Sequence, residues 1–482
     1  MKVAFLSSEV TPFAKTGGLA DVTGSLPKFL AKLGLEIIVI MPLYREVRKK
    51  ELSLIKVEEN CSLDWDKKKE YFSVLKYNEE HFPVYFIHKD EYFDRDDLYS
   101  TAKGDYPDNG ERFAFFSKAS LEALKQLNFS PQILHCHDWQ TAISLAYLKC
   151  LFQGNPFFNQ TRSLFTIHNL AYQGLFEKEI LNKIGLPNDL FNMEDLEFYG
   201  KVNFLKAGIL YATAVNTVSP RYSQEIQTPE FGYGLDGLLR KRSHVLYGIL
   251  NGVDYSSWDP QTDKFILRNY TAQNLQGKEA CKTDLLKAFK LPIAGKNIPV
   301  IGMVSRLAGQ KGFDILCEAL NDIFKMDVYL VILGTGEEKF QNILKAAKKK
   351  FPSYLGLEIA FDEQLAHKIT AGSDFFLIPS RYEPCGLTQM YSLKYGTIPV
   401  VRATGGLDDV IQEFDPERNL GNGFKFQDYS IASLLSSLGR AVATYQKKDK
   451  WDFLIKNAMA FDFSWEKSAL TYIKLYEKIV SL

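Results

Sequence analysis

Short apolar runs rich in β-branched and aromatic residues alternate with longer amphipathic stretches along all 482 residues, and few folds accept that pattern. Candidate buried strands fall at 3–7, 36–41, 73–76, 84–87, 133–136, 163–167 and 214–218. A second set falls at 246–250, 299–304, 328–333, 357–361, 374–378 and 397–401. Near-continuous runs such as Val328–Leu333 fit strands covered on both faces, as in a parallel sheet. Between them, Gly18–Leu33, Arg112–Leu127 and Phe313–Phe324 carry helical spacing. Strand–helix–strand units sustained over this length predict doubly wound α/β sheets. One sheet holding every candidate strand would be unusually large, so two are expected, with the change-over near Tyr247–Asp254. The closing stretch Asp462–Leu482 reads as a helix with Ala469, Tyr472, Ile473, Tyr476 and Ile479 on one stripe. Two halves of one class leave a cleft between them, a favoured ligand site.

The charges narrow the function. Lys and Arg number 58 and Asp and Glu 58, which disfavours a general nucleic-acid binder, since that needs a basic surplus. The lysines of 345–350 read as a solvated helix face. Six cysteines with no Cys-x-x-Cys pair disfavour a disulfide framework or a cysteine-rich zinc site and suit a reducing compartment. Glu9 soon follows the first apolar run, so no signal-peptide core is present. No run approaches the ~18 apolar residues of a membrane span. The expected location is cytoplasmic.

Polar residues collect where candidate strands end. After the first strand come Glu9 and then Lys15-Thr16-Gly17-Gly18-Leu19-Ala20-Asp21-Val22. Its glycines let backbone N–H groups approach an anion, and Lys15 adds a point charge. It is neither a dinucleotide fingerprint nor a P-loop, and a tight turn with one solvated lysine explains it equally well. His135-Cys136-His137-Asp138-Trp139 closes another strand. Alternation puts both histidines on one face, but no third metal ligand stands at a typical spacing. Asp138 and Trp139 pair a hydroxyl partner with a stacking face, which suits a sugar, although Trp139 taken alone reads better as a packing aromatic. Phe165–Leu170 repeats the layout and delivers His168.

In the second half, Arg306 and Lys311 stand five residues apart on a Gly-containing loop, Ser305–Gly312. Such a pair can bracket a diphosphate, Arg by a bidentate fork and Lys as a point charge. Gly334-Thr335-Gly336 lacks the third glycine of a dinucleotide fingerprint, and a tight turn explains it. Ile378 through Gln389 presents Glu383 after an aromatic and then opens a helix, where Gly386, Leu387 and Thr388 offer N–H groups to a phosphate. Cys385 has no base beside it in sequence and reads as a packing residue. Thr404-Gly405-Gly406 is a further glycine turn and helix start.

Through these segments the chain resembles bacterial glycogen synthases and plant starch synthases, retaining glucosyltransferases with two Rossmann-type domains. The matching residues are Lys15 to Val22, His137-Asp138-Trp139, His168 to Gly174, Asn251-Gly252-Val253-Asp254, Arg306 with Lys311, Arg381 to Thr388, and the final Asp462-Phe463-Ser464-Trp465. The match runs in order over nearly the whole chain. It implies a GT-B fold: two Rossmann-like doubly wound domains facing a deep cleft. An acceptor-side domain would cover 1–248, a sugar-nucleotide domain 249–460, and a C-terminal helix, 461–482, would return to the first.

The resemblance also implies roles. Glu383, Arg306, Lys311, His168 and Asp138 form the catalytic set. Lys15, Gly18, Glu9, Asp21, Trp139, Asn251, Phe361, Cys385, Gly386, Leu387 and Thr388 bind substrate, with Phe361 against the nucleotide base. Tyr391 stands where the wider superfamily often has a second glutamate, a difference shared by glycogen and starch synthases. Leu307-Ala308-Gly309-Gln310 replaces a loop in which Thr and Ser are frequent. The implied reaction moves glucose from ADP-glucose to the non-reducing end of an α-1,4-glucan, with no metal or cofactor. UDP-glucose is the alternative donor. Outside this class, a nucleotide-dependent oxidoreductase or a non-catalytic glycan-binding protein remain rivals.

Overall fold

The computed structural model describes residues 1–101, 104–293 and 298–482. Two compact units emerge: Met1–Gly252 together with Trp465–Leu482, and Val253–Ser464. Among the described residues no helix is long and apolar enough to cross a membrane.

Among the described residues the main sheet of the first unit has nine strands: β1 Lys2–Leu6, β2 Glu36–Pro42, β3 Ile55–Trp65, β4 Lys68–Asn78, β5 Pro83–His88, β6 Ile133–His137, β7 Arg162–Ile167, β8 Ala214–Thr217 and β9 Leu246–Gly248. Their order is β9-β8-β7-β6-β1-β2-β5-β4-β3. From β9 to β5 all neighbours are parallel, and β4 and β3 add antiparallel edges. Val3 to Leu6 are fully buried, as a strand covered on both faces requires.

Two sequence expectations change here. The run at 246–250, counted with the second set, forms β9 at the edge of the first sheet beside β8. Strand β3 escapes the apolar-run criterion because most of it faces solvent, with Cys61, Leu63 and Trp65 alone buried. A half-covered antiparallel edge alternates instead of running apolar.

In the second unit, β10 Val300–Val304, β11 Tyr329–Leu333, β12 Leu355–Glu358, β13 Phe375–Ile378, β14 Ile398–Arg402 and β15 Phe424–Phe426 lie in the order β12-β11-β10-β13-β14-β15. All neighbours are parallel. The order reverses between β10 and β13, the position where doubly wound sheets bind ligands at the strands' carboxyl ends. In the first sheet the corresponding reversal lies between β1 and β6. Strand β15, only three residues long, gave no sequence signal. Strand β12 lies two to three residues earlier than the run at 357–361, which leaves Phe361 in the loop beyond it.

The C-terminal helix Trp465–Val480 packs on the first unit with Trp465, Ala469, Tyr472, Leu475, Tyr476 and Ile479 buried. Leu475 thus takes the inward position expected of Ile473. Two tyrosines on this stripe carry polar ends into the core. Tyr476 Oη lies 2.8 Å from His135 Nδ1, and Asn216 Nδ2 donates to Tyr472 Oη at 3.0 Å. His135 Nε2 meets Thr166 Oγ1 at 2.7 Å, so the ring is satisfied at both nitrogens. Tyr476→Phe strands one buried nitrogen. An unpaired buried polar group costs about 1–3 kcal/mol, so denaturant unfolding should show a loss of that size. An unchanged midpoint would mean that the hydroxyl contributes nothing.

Candidate active site

In the first unit, the loop after β1 is held by the carboxylate of Glu9. Thr16 donates from its backbone N–H at 2.5 Å and its hydroxyl at 2.7 Å, and Gly17 N–H donates at 3.2 Å. Tyr99 Oη donates to the same carboxylate at 2.7 Å. Glu9 is 4% exposed, so it shapes the glycine loop instead of presenting its oxygens outward. Tyr99 carried no sequence signal, because it lies ninety residues away in a segment with no motif.

Beyond that brace, a Cβ on Gly17 or Gly18 would meet nothing within 4 Å, so a ligand can approach the backbone closely. Lys15 pairs with Asp21, in the first turn of the helix Gly18–Lys32, at 2.7 Å. An exposed pair of this kind is worth about 0–1 kcal/mol, so an incoming phosphate can recruit the ammonium at little cost.

At the ends of β6 and β7 the structure brings together Asp138, Trp139 and His168. Asp138 takes φ +56°, and its Oδ1 accepts from the His168 backbone N–H at 2.7 Å. Burial pushes the Asp138 carboxyl up to about 7, against the opposing N–H groups of His168 and Asn169. Burial also pulls the His168 imidazole down to about 3. His168 Nε2 lies 3.0 Å from His137 Nδ1, and His137 Nε2 is a buried atom with no partner. The histidines of β6 therefore share a face, as alternation requires, with ring centroids 4.1 Å apart. Among the described residues no group of three His, Cys, Asp or Glu side chains is placed to hold a metal ion.

Trp139 packs edge-on against Phe113 at 5.2 Å and beside Phe176 at 5.7 Å. Gly174 takes φ +64°, and a Cβ there would stand 2.5 Å from the indole. Much of the ring is thus committed to packing. Asn251 is buried, and its Oδ1 is without a partner.

The Asp138 shift has a measurable consequence. Its folded pKa lies above the unfolded value of about 3.9, so the protonated carboxyl stabilises the fold fully below about pH 4. That contribution is lost as pH rises through about 7. Asp138→Asn should flatten the decline in denaturation stability between those limits. An unaltered slope would contradict the assigned shift.

In the second unit, the loops after β10 and β13 converge. Lys311 Nζ meets Glu383 Oε2 at 2.6 Å, and Ser380 Oγ donates to the same oxygen at 3.0 Å. Glu383 is buried and Arg306 exposed. Arg306 Nη2 approaches Gln310 Oε1 at 3.4 Å, and Gln310 O accepts from Arg381 N–H at 2.8 Å, tying the two loops together. A cavity of ≈ 20 Å³ lies among Ser305, Lys311, Ser380, Glu383 and Thr388, enough for one water.

Glycines make this convergence possible. Gly312, at φ +80°, opens the helix Phe313–Phe324, and a Cβ on it would stand 2.1 Å from Pro379 O. The Gly334-x-Gly336 turn is not free-standing. Its glycines pass under the Arg306 loop, where added Cβ atoms would stand 1.9 Å from Ser305 O and 2.5 Å from Leu307 O. Gly405 and Gly406 support the Glu383–Cys385 backbone in the same way, and Gly406 N–H donates to Glu383 O at 3.2 Å.

Beyond Glu383, the Cys385 side chain is buried, as a packing role requires. Among the described residues none accepts from the backbone N–H groups of Gly386, Leu387 or Thr388 at the start of the helix Thr388–Lys394. Phe361 is 91% exposed, in the loop beyond β12.

Two doubly wound sheets with charged loops at their switch points are the architecture of a GT-B glycosyltransferase, and the matches to known proteins assign the chain to that class. A starch synthase catalytic domain model matches residues 2–241 and a glycosyl transferases group 1 model matches 287–454. Glycogen synthases from Thermosipho melanesiensis and Thermosipho africanus are 49% and 50% identical, each over 100% of this chain and 99% of its own. The catalytic domain of starch synthase IV from Arabidopsis thaliana, solved bound to ADP and acarbose, is 35% identical. It superposes with a TM-score of 0.91 over 100% of this chain and 99% of that one. A sucrose-phosphate synthase from Thermosynechococcus elongatus, at 16% identity and a TM-score of 0.60, shares the fold. The chain belongs to the glycogen and starch synthase family of glucosyltransferases. Both rival classes fall with that assignment, and membership implies a nucleotide-sugar donor and a glucan acceptor.

Proposed function

We propose that this glucosyltransferase moves glucose from ADP-glucose to the non-reducing O4 of an α-1,4-glucan with retention of configuration. The observation that carries the reading is the Lys311–Glu383 contact with Arg306 exposed on the same loop. Arg306 and Lys311 oppose charge growing on the departing diphosphate, aided by the N–H groups of Gly386–Thr388. The ammonium of Lys311 gives one N–H to Glu383 and keeps two for phosphate oxygens. Glu383 holds that cation and offsets positive charge on the oxocarbenium-like sugar.

The leaving oxygen of the diphosphate then takes the proton of the attacking O4 hydroxyl on the same face. The C1–O bond to the diphosphate breaks as the C1–O4 bond forms, so no protein nucleophile is required. Asp138, His168 and Trp139 address the transferred glucose, and Lys15, Gly18, Asp21 and Asn251 the remaining substrate contacts. In this reading the first unit serves the acceptor and the second the nucleotide.

The starch synthase match and a solved relative bound to ADP support adenine as the base. Phe361 stacks on either base and does not decide between them. UDP-glucose is the second reading. Initial rates with each donor, on glycogen, separate the two, and faster turnover of ADP-glucose is expected. Equal or reversed rates overturn the donor assignment, and inactivity with both overturns the transfer itself.

A further inference from the structure

We infer that His137 fixes the tautomer of His168, so that His168 gives a hydrogen bond to a substrate oxygen and cannot act as a base there. The inference builds on the placement of His168 at the sugar, and its logic lies in the unpartnered nitrogen beneath it. His137 Nδ1 and His168 Nε2 are 3.0 Å apart, so one must donate to the other. His137 Nε2 is buried and has no hydrogen-bond partner.

Three protonation states can be compared. If His168 donates from Nε2, a neutral His137 carries its own proton at Nε2, as an N–H with no acceptor. If His137 is a cation, Nε2 again carries that stranded N–H, and a buried charge is added. Only with the proton at Nδ1 does His137 donate to His168 and leave a bare lone pair at Nε2. Buried N–H groups without acceptors are rarer than acceptors without donors.

The consequence passes to His168. Its Nε2 lone pair is occupied from below, so a neutral ring holds its proton at Nδ1. Among the described residues that Nδ1 has no partner. A donor suits the hydroxyl oxygens of a hexose. With its lone pair turned inward, His168 cannot collect the proton of an attacking hydroxyl, which must go elsewhere. His137 is thus a positioning residue: it lies one layer below and acts through its neighbour. Tyr476 and Thr166 hold the adjoining His135 ring, which keeps the stack in register.

Long-range proton–nitrogen NMR of the full chain labelled with 15N-histidine reads the tautomer directly. The His168 signals are assigned by their loss in His168→Gln. Protonation at Nδ1 is expected, and a signal pattern with the proton at Nε2 overturns the inference. His137→Leu removes the donor and should let His168 populate the Nε2–H form, whereas His137→Asn, which offers an amide N–H near the old Nδ1, should restore the wild-type pattern. An unchanged His168 pattern in His137→Leu overturns the positioning role, and if that variant does not fold the wild-type and His137→Asn spectra still decide. The readout needs neither donor nor glucan. Failure of glucosyl transfer would leave it standing, and the wrong tautomer would leave transfer standing.

Discussion

Replacing Glu383 with alanine is expected to lower kcat on the order of 10³-fold while the protein stays folded. Removing one preorganised electrostatic partner typically costs ~10²–10³ in rate, and here a second effect is tied to it. Lys311 Nζ sits 2.6 Å from Glu383 Oε2, so truncation also frees the cation that the proposed reaction sets against the diphosphate. Lys311→Ala should cost ~10²-fold by itself. Because the two groups touch, their losses should not add, and the double variant should resemble the worse single one. Glu383→Gln separates the two tasks. An amide oxygen can still accept from Lys311 but carries no charge, so substantial recovery would mean that Glu383 mainly holds the lysine. Continued inactivity would mean that its charge acts on the sugar. An alanine variant keeping more than about a tenth of wild-type kcat would remove Glu383 from the mechanism, given the size of effect expected.

Gly405→Ala should be strongly damaging although the glycine is itself no proposed substrate contact. The residue takes φ +45°, and a Cβ would stand 2.0 Å from Glu383 O and 2.9 Å from Glu383 C. The backbone conformation costs about 1–2 kcal/mol and the overlap about 1–3 more. At ~2–4 °C per kcal/mol for a unit of this size, the melting temperature should fall by several degrees. The overlap is relieved only by moving the Glu383 backbone, and a ~1 Å displacement can cost ~10²-fold in rate. Gly439→Ala is the control, since its Cβ meets nothing within 4 Å in the helix Ile431–Tyr445. It should leave the melting temperature unchanged or raise it slightly. Equal behaviour of the two variants would contradict the support role of Gly405.

The parallel strands were legible because burial on both faces writes itself as uninterrupted apolar runs, as in β1 and β11. Strand β3 was obscured because its solvent side interleaves charge with apolar residues, whereas the run at 73–76 marked the middle of β4. At the site, Arg306, Lys311 and Glu383 were readable from residue type and position after strands. Their mutual geometry was not, because it depends on glycines whose contacts lie elsewhere in the sequence. Gly334 and Gly336 looked like an isolated turn, and only folding shows the Arg306 loop lying against them. Glu9 stood out only by its position after a strand, and its bonds to Thr16, Gly17 and Tyr99 join residues that no spacing rule links. The partnerless Nε2 of His137 was invisible for the same reason: sequence shows which groups are polar, never which are left over.

The return of residues Trp465–Leu482 to the first unit sets an order for synthesis. A ribosome releases the whole of Val253–Ser464 before it releases the helix that carries Tyr472 and Tyr476. The second unit can therefore finish folding while the first still has Asn216 and His135 without their tyrosine partners. During that interval the nascent first unit exposes the groove in which the last helix belongs, a natural point of engagement for chaperones. Early termination would leave a complete second unit tethered to a first that can never close.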